Sequence, residues 1–549
     1  MKGTKNGTQI IREQTENRET RKYAILVIFG LLSAVAIQGR GHVGIESLTG
    51  GFFVACLLLV ILYRDILRYK PQYMKKHGML VLLGVMIVCT VVGGRIFHYV
   101  LLNLSKGVGS LAVEGTVFGL PIAAGAMLVT LLFDFHTAIV FSFIVSLLSG
   151  LWLRDTIFPV YAFVGSLTAA FSVIRCKKRS ALLRGGLYAG VANMVTATIL
   201  LLFQGELFMA KAVSAIVFAL STVISITAIV SVMLPILEHI FTVTTDISLL
   251  ELLDLNQPLM KNLIISAPGT YHHSVIVGTL VESAAEAVGV NPLLAKVSAY
   301  YHDIGKIKMP DYFVENQGGG VSKHERLTPH LSSITIVSHV KEGVELARQY
   351  KLPGSIIDII QQHHGNGLIT FFYRKAKDQY ETYRTDAHRV HDLHRHEAGH
   401  GPSEDDYRYP GPKPQTRVAA LVMMADAVEA ASRVLTDPTP ARVSDLVERI
   451  INHIFLEGQL DECELTLKDI SAIKKHFSYI LTGILHRRID YPGFNFRAEG
   501  KKSPPRESER GVGGEAHLTP HGHDGFDKEP PKADTDRSLQ DKKGLAQAS

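Results

Sequence analysis

The pattern of apolar positions divides the chain into two halves. Long apolar stretches follow one another from about Tyr23 to Leu237, whereas the sequence after Glu238 is mixed or polar. Crossing a bilayer takes about 17–25 mostly apolar helical residues, and eight stretches approach that length. They are Tyr23–Gln38, Gly50–Leu67, Gly78–Gly94, Val117–Phe133, Thr137–Leu153, Phe158–Ile174, Gly186–Phe203 and Ala212–Leu237. The pattern predicts a polytopic transmembrane helix bundle over residues 23–238.

Basic residues indicate the orientation of this bundle. The loops after the second and sixth spans, with their flanks, are strongly basic: they contain Arg64, Arg68, Lys70, Lys75 and Lys76, and Arg175, Lys177, Lys178, Arg179 and Arg184. The odd-numbered loops are sparser, with Arg40, Arg95 and Lys106, Arg154, and Lys211. Because short cytoplasmic loops carry the excess of Lys and Arg, eight spans place both termini in the cytoplasm. Residues 1–22 carry three glutamates and precede no small-residue cleavage site, so we expect a cytoplasmic leader and a retained first span.

The soluble half has the periodicity of helices. Val277, Leu280, Val281, Ala284 and Val288 form a one-sided apolar stripe with helical spacing. Few alternating runs typical of strands occur before Arg497. The predicted fold class is therefore all-α, with the transmembrane bundle followed by an all-helical domain over residues 239–496.

Histidines and aspartates recur in an ordered way on these predicted helices. The motifs are Tyr-His-His-Ser at 271–274, His-Asp at 302–303, Ser-His-Val at 338–340, Gln-His-His-Gly at 362–365 and Ala-Asp-Ala at 425–427. Any one of them alone would be a solvated surface group, but the set within one domain suits imidazole and carboxylate binding of Mn, Fe or Zn. Two ions about 3.5–4 Å apart can activate water and stabilise the charge that develops on a phosphodiester. Adjacent His302 and Asp303 can serve such a pair, the imidazole on one ion and the carboxylate bridging to the other.

Composition narrows the classes of partner. The net charge of +6 is spread over loops and the C-terminal region, without a dense basic face interleaved with aromatic residues, so a nucleic acid polymer is not expected as the main partner. The four cysteines lie far apart in the sequence and imply no disulfide framework. The expected partners are the lipid bilayer and a small phosphodiester, and a homo-oligomer is compatible with the sequence.

Several longer motifs resemble one family. They are Thr-Thr-Asp at 244–246, Ala-Pro-Gly-Thr-Tyr-His-His-Ser at 267–274, Tyr-Phe-Val-Glu-Asn-Gln at 312–317, Tyr-Pro-Gly-Pro-Lys-Pro-Gln-Thr at 409–416 and Asp-Glu-Cys-Glu-Leu-Thr at 461–466. With the His-Asp pair, they make the chain similar to the bacterial seven-transmembrane HD proteins of the HD phosphohydrolase superfamily. The resemblance implies a multi-pass protein of the bacterial plasma membrane with a cytoplasmic HD domain. It also implies hydrolysis of the cyclic dinucleotide cyclic di-AMP to linear pApA at a site with two divalent metal ions, expected to be iron or manganese.

The resemblance also implies roles for individual residues. The metal ligands would be His273, His302, Asp303, His339, His363 and Asp426, with His272 as the alternative to His273. Asp426 would complete the shell of the first ion and His339 and His363 that of the second, while Asp303 bridges the ions. Lys306 matches the lysine of the His-Asp-x-x-Lys pattern and would contact phosphate. His364 is either a further ligand or a contact to phosphate or water.

Three segments depart from the family pattern. Only about ten residues separate Gln38 from Gly50, where family members commonly carry a large extracellular domain. Residues 381–403 form a His-rich insertion, with His388, His391, His394, His396 and His400, which we expect to be a solvated loop. Residues 497–549 are rich in Gly, Pro and charge without apolar periodicity, and we expect a disordered tail.

Two alternatives to cyclic di-AMP hydrolysis remain open. The substrate could be another nucleotide such as cyclic di-GMP or a guanosine tetraphosphate, although Gly-Asn-Gly at 365–367 stands where a cyclic di-GMP enzyme would have Gly-Tyr-Pro. Alternatively, the HD domain could bind a nucleotide without hydrolysing it, as part of a membrane receptor. The complete set of imidazoles and carboxylates disfavours such a receptor, because binding alone does not require a pair of water-activating ions.

Overall fold

The structure is a computed structural model that describes residues 3–38, 44–75, 77–109, 111–174, 176, 178–208, 210–318, 322–389 and 401–485. Within these ranges the chain is helical, and its only extended pairing is an isolated bridge between Leu368 and Arg408. The predicted all-α class is therefore confirmed.

Eight α-helices form the described part of the apolar half: α1 (Gly3–Ala36), α2 (Ile45–Tyr69), α3 (His77–Val108), α4 (Ala123–Leu132), α5 (Phe135–Leu153), α6 (Phe158–Ser172), α7 (Ser180–Phe203) and α8 (Ala210–Phe241). Among the described residues, six helical segments are long and apolar enough to cross a membrane. They correspond to α2, α3, the segment Val113–Leu132, α5, α7 and α8, while α6 is a shorter apolar helix. The apolar part of α1, predicted as the first span, is not among the six. The chain is a multi-pass membrane protein.

The fourth predicted span is a broken helix. A 3-10 helix over Val113–Gly119 leads through Leu120 and Pro121 into α4. Pro121 has no N–H and interrupts regular helical hydrogen bonding, and the Tyr161 hydroxyl donates to the carbonyl of Phe118 at the break. Backbone groups freed inside a bilayer need such a partner, so Tyr161 makes the interruption compatible with a membrane-spanning segment.

The predicted loop positions of Arg95 and Lys106 are wrong. α3 continues to Val108 and contains both residues. Arg95 Nη1 donates to the carbonyl of Ala36 at 2.6 Å. The carbonyls of the last turn of a helix lack partners within that helix, and this guanidinium supplies one to the end of α1. Hydropathy places the end of the span at Gly94 because it scores the charge of Arg95 without the Ala36 carbonyl that pairs with it.

Polar contacts bring the even-numbered connections to one end of the bundle. Lys70 Nζ lies 3.7 Å from Asp134 Oδ2, and His136 Nε2 lies 3.0 Å from Asp65 Oδ2, so the α2–α3 and α4–α5 junctions are neighbours. Arg179, between α6 and α7, pairs with Glu251 through nitrogen–oxygen distances of 2.6 and 3.0 Å. Glu251 lies ten residues after the end of α8, so the basic α6–α7 connection contacts the start of the C-terminal domain.

Between residues 242 and 485, the structure describes ten further α-helices, which build the C-terminal domain: α9 (Asp246–Leu252), α10 (Pro258–Ser266), α11 (Pro268–Ala287), α12 (Pro292–Tyr301), α13 (Pro329–Gln349), α14 (Gly354–Gln362), α15 (Thr370–Arg389), α16 (Arg417–Ser432), α17 (Pro440–Leu456) and α18 (Leu467–Leu485). One buried cluster joins α11 and α16 to α17 and α18, and another joins α9 and α10 to α13 and α14. α12 contributes Ala295 and Ala299 to the first cluster and Val297 and Tyr301 to the second. The segment that carries His302 and Asp303 therefore starts from the middle of the domain core.

The predicted His-rich loop is partly helical. α15 continues to Arg389, so the first nine residues of the predicted insertion at 381–403 belong to a helix. Residues 390–400 lie outside the described part of the chain, as does the predicted disordered tail at 497–549. Glu404–Tyr407 forms a 3-10 helix, and the bridge to Leu368 follows it directly.

Candidate metal centre

Five helices bring the predicted site residues to one place. α11 carries His273, α13 carries His339, and α16 carries Asp426. His302 and Asp303 follow the end of α12, and His363 and His364 follow the end of α14. All of these residues are buried except His364, whose side chain is 25% exposed. His272, the alternative to His273, is exposed.

The donor atoms form two groups that share one carboxylate. His273, His302, Asp303 and Asp426 make the first group, and Asp303, His339, His363 and His364 make the second, each with its donor atoms within 4.8 Å of one another. Asp303 Oδ2 lies 3.2 Å from His302 Nε2, in the first group. Asp303 Oδ1 lies 3.4 Å from His339 Nε2, in the second. The two oxygens of Asp303 therefore face different groups, which is the arrangement of a bridging carboxylate.

The imidazoles present Nε2 to the centre because their Nδ1 atoms are already engaged. The Nδ1 of His302 donates to Ala299 O at 2.6 Å, that of His339 to Ile336 O at 2.5 Å, and that of His363 to Ile360 O at 2.7 Å. Each acceptor is the carbonyl three residues earlier in the chain. Such contacts fix the ring orientation and the tautomer that leaves Nε2 free to bind a cation.

The carboxylates of the first group stabilise positive charge beside them. Burial alone would lower the pKa of His302, but the carboxylates of Asp303 and Asp426 outweigh burial and raise it to about 10. Burial alone would raise the pKa of Asp303, yet His302 and Lys306 bring it well below its usual range. A cluster of buried carboxylates that draws protons onto neighbouring imidazoles also attracts a divalent cation.

The second group favours neutral imidazoles. Burial lowers the pKa of His339 to about 3 despite the nearby carboxylate of Asp303. Burial, together with His363, lowers the pKa of His364 well below its usual range. Neutral imidazole is the form that binds metal ions, so these two side chains are in that form at neutral pH.

Lys306 lies between two carboxylates. Its Nζ is 2.7 Å from Asp303 Oδ2 and 2.8 Å from Glu315 Oε1. Glu315 also accepts a hydrogen bond from the Thr270 hydroxyl at 3.1 Å, and Asn316 Nδ2 donates to the same hydroxyl at 2.9 Å. The Tyr-Phe-Val-Glu-Asn-Gln motif thus provides a counter-charge that holds the ammonium of Lys306 beside Asp303.

His364 lies on the more accessible side of the centre, against Tyr409. The two rings stack with centroids 4.2 Å apart and an angle of 24° between their planes. The turn that follows is tight: Gly365 has φ +52°, and a Cβ at this position would come within 2.4 Å of Gln459 Oε1. The stacked ring and the turn together hold His364 at the edge of the second group.

Three residues of the site had no assigned role in the sequence prediction: Glu315, Tyr409 and Glu429. Glu315 and Tyr409 belong to motifs that the resemblance uses, whereas Glu429 does not. Their contacts with Thr270, His364 and His273 join positions far apart in the sequence. Glu429 offers one local signal, because it follows Asp426 by one helical turn and therefore lies on the same face of α16.

The buried donor atoms fit divalent metal ions. His273 Nε2, His302 Nε2 and Asp303 Oδ1 are buried and make no hydrogen bond of regular geometry, while Asp303 Oδ2 is paired with the ammonium group of Lys306. Buried polar atoms without partners are rare in folded proteins, and an ion is one of the explanations. Imidazole and carboxylate together form the donor set for Mn, Fe or Zn, and the two groups of donors can hold one ion each.

Comparisons with known proteins identify relatives of both halves. Residues 45–245 match the family described as a 7TM receptor with intracellular HD hydrolase, and residues 270–431 match the HD domain. The chain is 38% identical over 381 residues to the cyclic-di-AMP phosphodiesterase PgpH of Bacillus subtilis, covering 68% of this chain and 51% of the relative. It is 34% identical over 449 residues to PgpH of Listeria monocytogenes, covering 80% of this chain and 58% of the relative.

The chain thus spans about half the length of these curated relatives. Among solved structures, it is similar to the L. monocytogenes phosphodiesterase PgpH HD domain in complex with cyclic-di-AMP. That match has 43% sequence identity and a TM-score of 0.37, and it covers 42% of this chain and 98% of the solved one.

Proposed function

Because this chain belongs to the family of membrane proteins in which a seven-transmembrane region precedes an intracellular HD hydrolase domain, we propose that it is a metal-dependent phosphodiesterase that hydrolyses cyclic di-AMP to pApA. The observation that carries the proposal is the pair of buried donor groups that share Asp303. The choice of cyclic di-AMP follows the names of the two PgpH relatives. One water is consumed when one of the two phosphodiester bonds is cleaved.

The proposed ligands divide into two positions. His273, His302 and Asp426 would hold one divalent ion and His339 and His363 the other, with Asp303 shared between them. Two bound ions, iron or manganese, would supply Lewis acidity at phosphorus and lower the pKa of water. His302 and Lys306 outweigh burial and hold the pKa of Asp303 well below its usual range, so its carboxylate is ionised and each of its oxygens could bind a cation.

Lys306 and His364 are the proposed contacts to the substrate phosphate. His364 is the most exposed member of the donor groups, with a quarter of its side chain accessible, so a substrate arriving from solvent would meet it first. Lys306 is already paired with Asp303 and Glu315. Its ammonium therefore stays charged and fixed in place beside the centre, from where it can stabilise negative charge on phosphate.

A turnover assay of the full chain in detergent tests the function. The purified protein would be treated with chelator, dialysed, and supplied with Mn²⁺ or Fe²⁺ before incubation with cyclic di-AMP or cyclic di-GMP. We expect pApA from cyclic di-AMP with added metal and at least tenfold less product from cyclic di-GMP. Equal turnover of both dinucleotides would contradict the substrate assignment, and cyclic di-AMP binding without product would favour the receptor alternative.

The proposed orientation places the C-terminal domain in the cytoplasm. It is supported by the basic connection that contains Arg179, because Arg179 pairs with Glu251 at the start of this domain and short cytoplasmic connections carry the excess of Lys and Arg. Alkaline phosphatase, which is active only outside the cytoplasm, would be fused in the connection near Asp155 or in the connection near Lys178. We expect activity from the first fusion alone, and activity from the second would reverse the orientation.

A further inference from the structure

The Nδ1 atom of His273 has a different hydrogen-bond partner from the Nδ1 atoms of His302, His339 and His363. Its Nδ1 contacts Glu429 Oε2 at 2.5 Å, whereas His302, His339 and His363 use backbone carbonyls. Glu429 is almost fully buried, at 2% exposure. A carboxylate increases the basicity of a ligating imidazole more than a neutral carbonyl does, and it also fixes the ring.

Glu429 is held in place from its other side by Arg433. Arg433 Nε lies 3.0 Å from each oxygen of Glu429, and Nη2 lies 2.9 Å from Oε1. Glu429 lies on α16, Arg433 directly follows the end of this helix one turn later, and the same helix carries Asp426. Arg433 therefore holds the Glu429 carboxylate in place, and this carboxylate orients the His273 ring through a charged hydrogen bond.

This contact makes the two donor groups unequal. The first group contains the carboxylates of Asp303 and Asp426 and has Glu429 behind it, while the second contains Asp303 and three imidazoles. Glu429 belongs to neither group of donors, and its contact with the site is the one with His273. A divalent cation gains more from the first group, because more negative charge surrounds that position.

We propose that Glu429 is a positioning residue, which orients His273 and makes the first group the tighter of two cation positions. This inference rests on the proposed metal-dependent function. Second contacts of this kind typically change metal affinity by about 10- to 100-fold. The expected signature is a selective weakening of one ion of the two when Glu429 is changed.

The test is equilibrium dialysis of the metal-stripped full chain in detergent against Mn²⁺, with metal content measured by mass spectrometry. We expect two affinities in the wild-type chain, and Glu429→Ala should weaken the tighter one about 10- to 100-fold. Glu429→Gln keeps an oxygen acceptor without the charge, so it should recover part of the loss. Glu282→Ala, on the surface of α11 beside Lys296, is the matched control and should leave both affinities unchanged.

A double-mutant cycle separates positioning from a general structural role. In a His273→Ala background, Glu429→Ala should cause no further loss of Mn²⁺ affinity, because the imidazole through which it acts is gone. An equal loss in both backgrounds would overturn the inference, and so would unchanged affinity in Glu429→Ala. If Glu429→Ala does not fold, Glu429→Gln in both backgrounds carries the same test. A wild-type chain that binds no Mn²⁺ would instead refute the proposed metal-dependent function.

Discussion

Gly305 lies directly against the backbone of His339. A Cβ at position 305 would come within 1.9 Å of the His339 carbonyl oxygen and 2.5 Å of the Gly343 amide nitrogen. Gly305 belongs to the 3-10 helix Ile304–Lys308, which begins just after Asp303, and His339 belongs to α13. The absence of a side chain at this crossing allows Asp303 Oδ1 to approach within 3.4 Å of His339 Nε2.

Gly305→Ala should therefore separate the two halves of the site. The added methyl group would push the 3-10 helix away from α13, and a misplacement of about 1 Å in an active site can cost about 100-fold in rate. We expect about 100-fold lower turnover of cyclic di-AMP and weaker binding of one metal ion, measured on the full chain. Gly354→Ala is the matched control because a Cβ there meets nothing within 4 Å. Full activity in Gly305→Ala would show that the close crossing is dispensable.

Replacing both His302 and Asp303 by Ala should abolish turnover and bound metal. The double variant removes one imidazole of the first group and the carboxylate shared by both groups. Membrane insertion should be unaffected, because the replaced side chains lie in the C-terminal domain. The measurements are product formation and metal content of the membrane-extracted chain. His272→Ala, at the exposed neighbour of His273, is the control and should retain both turnover and bound metal. Substantial turnover in the double variant would contradict the proposed chemistry.

The sequence predicts the apolar helices well and their interruptions poorly. Hydropathy locates the segments that become α2, α5 and α8 because each is a long uniform run. It does not show that Pro121 divides the fourth segment into a 3-10 helix and α4, or that Arg95 lies inside α3. Both features depend on compensating contacts with distant residues, Tyr161 at the break and Ala36 at the guanidinium.

The sequence also predicts the candidate site only in part: it predicts the metal ligands but not the side chains that support them. The structure brings together the donor atoms of the six residues that the resemblance implies as ligands. The ordered His and Asp motifs already mark these side chains as ones that can bind metal. Glu315 and Glu429 were not assigned roles, because a carboxylate that supports another side chain has no distinctive local pattern. The contact from Glu429 to His273 spans 156 residues of sequence and exists only after α11 and α16 have packed.

Lys306→Met should destabilise the C-terminal domain through Glu315. The substitution leaves the largely buried Glu315 carboxylate without its cation, and removing one partner of a buried pair costs about 3–5 kcal/mol. We expect a lower midpoint of thermal unfolding for this domain in the full chain. Lys306→Met combined with Glu315→Gln should recover part of the loss, because the unpaired charge of Glu315 is removed and Asp303 still has His302 beside it. If Lys306 also contacts phosphate, turnover will stay low in the double variant while stability returns.

Chelation should lower the unfolding midpoint of the wild-type chain. A ligand that binds only the folded state stabilises it by about 2.7 kcal/mol at a free concentration about 100 times its Kd. Adding Mn²⁺ back should restore the midpoint, as followed by differential scanning calorimetry in detergent. The His302→Ala, Asp303→Ala double variant provides the control, since it lacks the shared carboxylate and should respond to neither treatment. A chelator effect of equal size in that variant would assign the change to metal bound elsewhere.

Tyr409→Ala should impair catalysis through His364. The stacked ring of Tyr409 restricts His364 at the accessible edge of the centre, and such ring pairs contribute about 0.5–1.5 kcal/mol. We expect turnover of cyclic di-AMP to fall about 2- to 13-fold, the equivalent of that energy, with the tighter Mn²⁺ affinity unchanged. Tyr409→Phe keeps the stacking face and should stay within twofold of wild type. Tyr383→Ala, at a 71% exposed position on α15, is the aromatic control. If Tyr409→Phe is as impaired as Tyr409→Ala, the hydroxyl group rather than the stacked ring is the part of Tyr409 that the reaction requires.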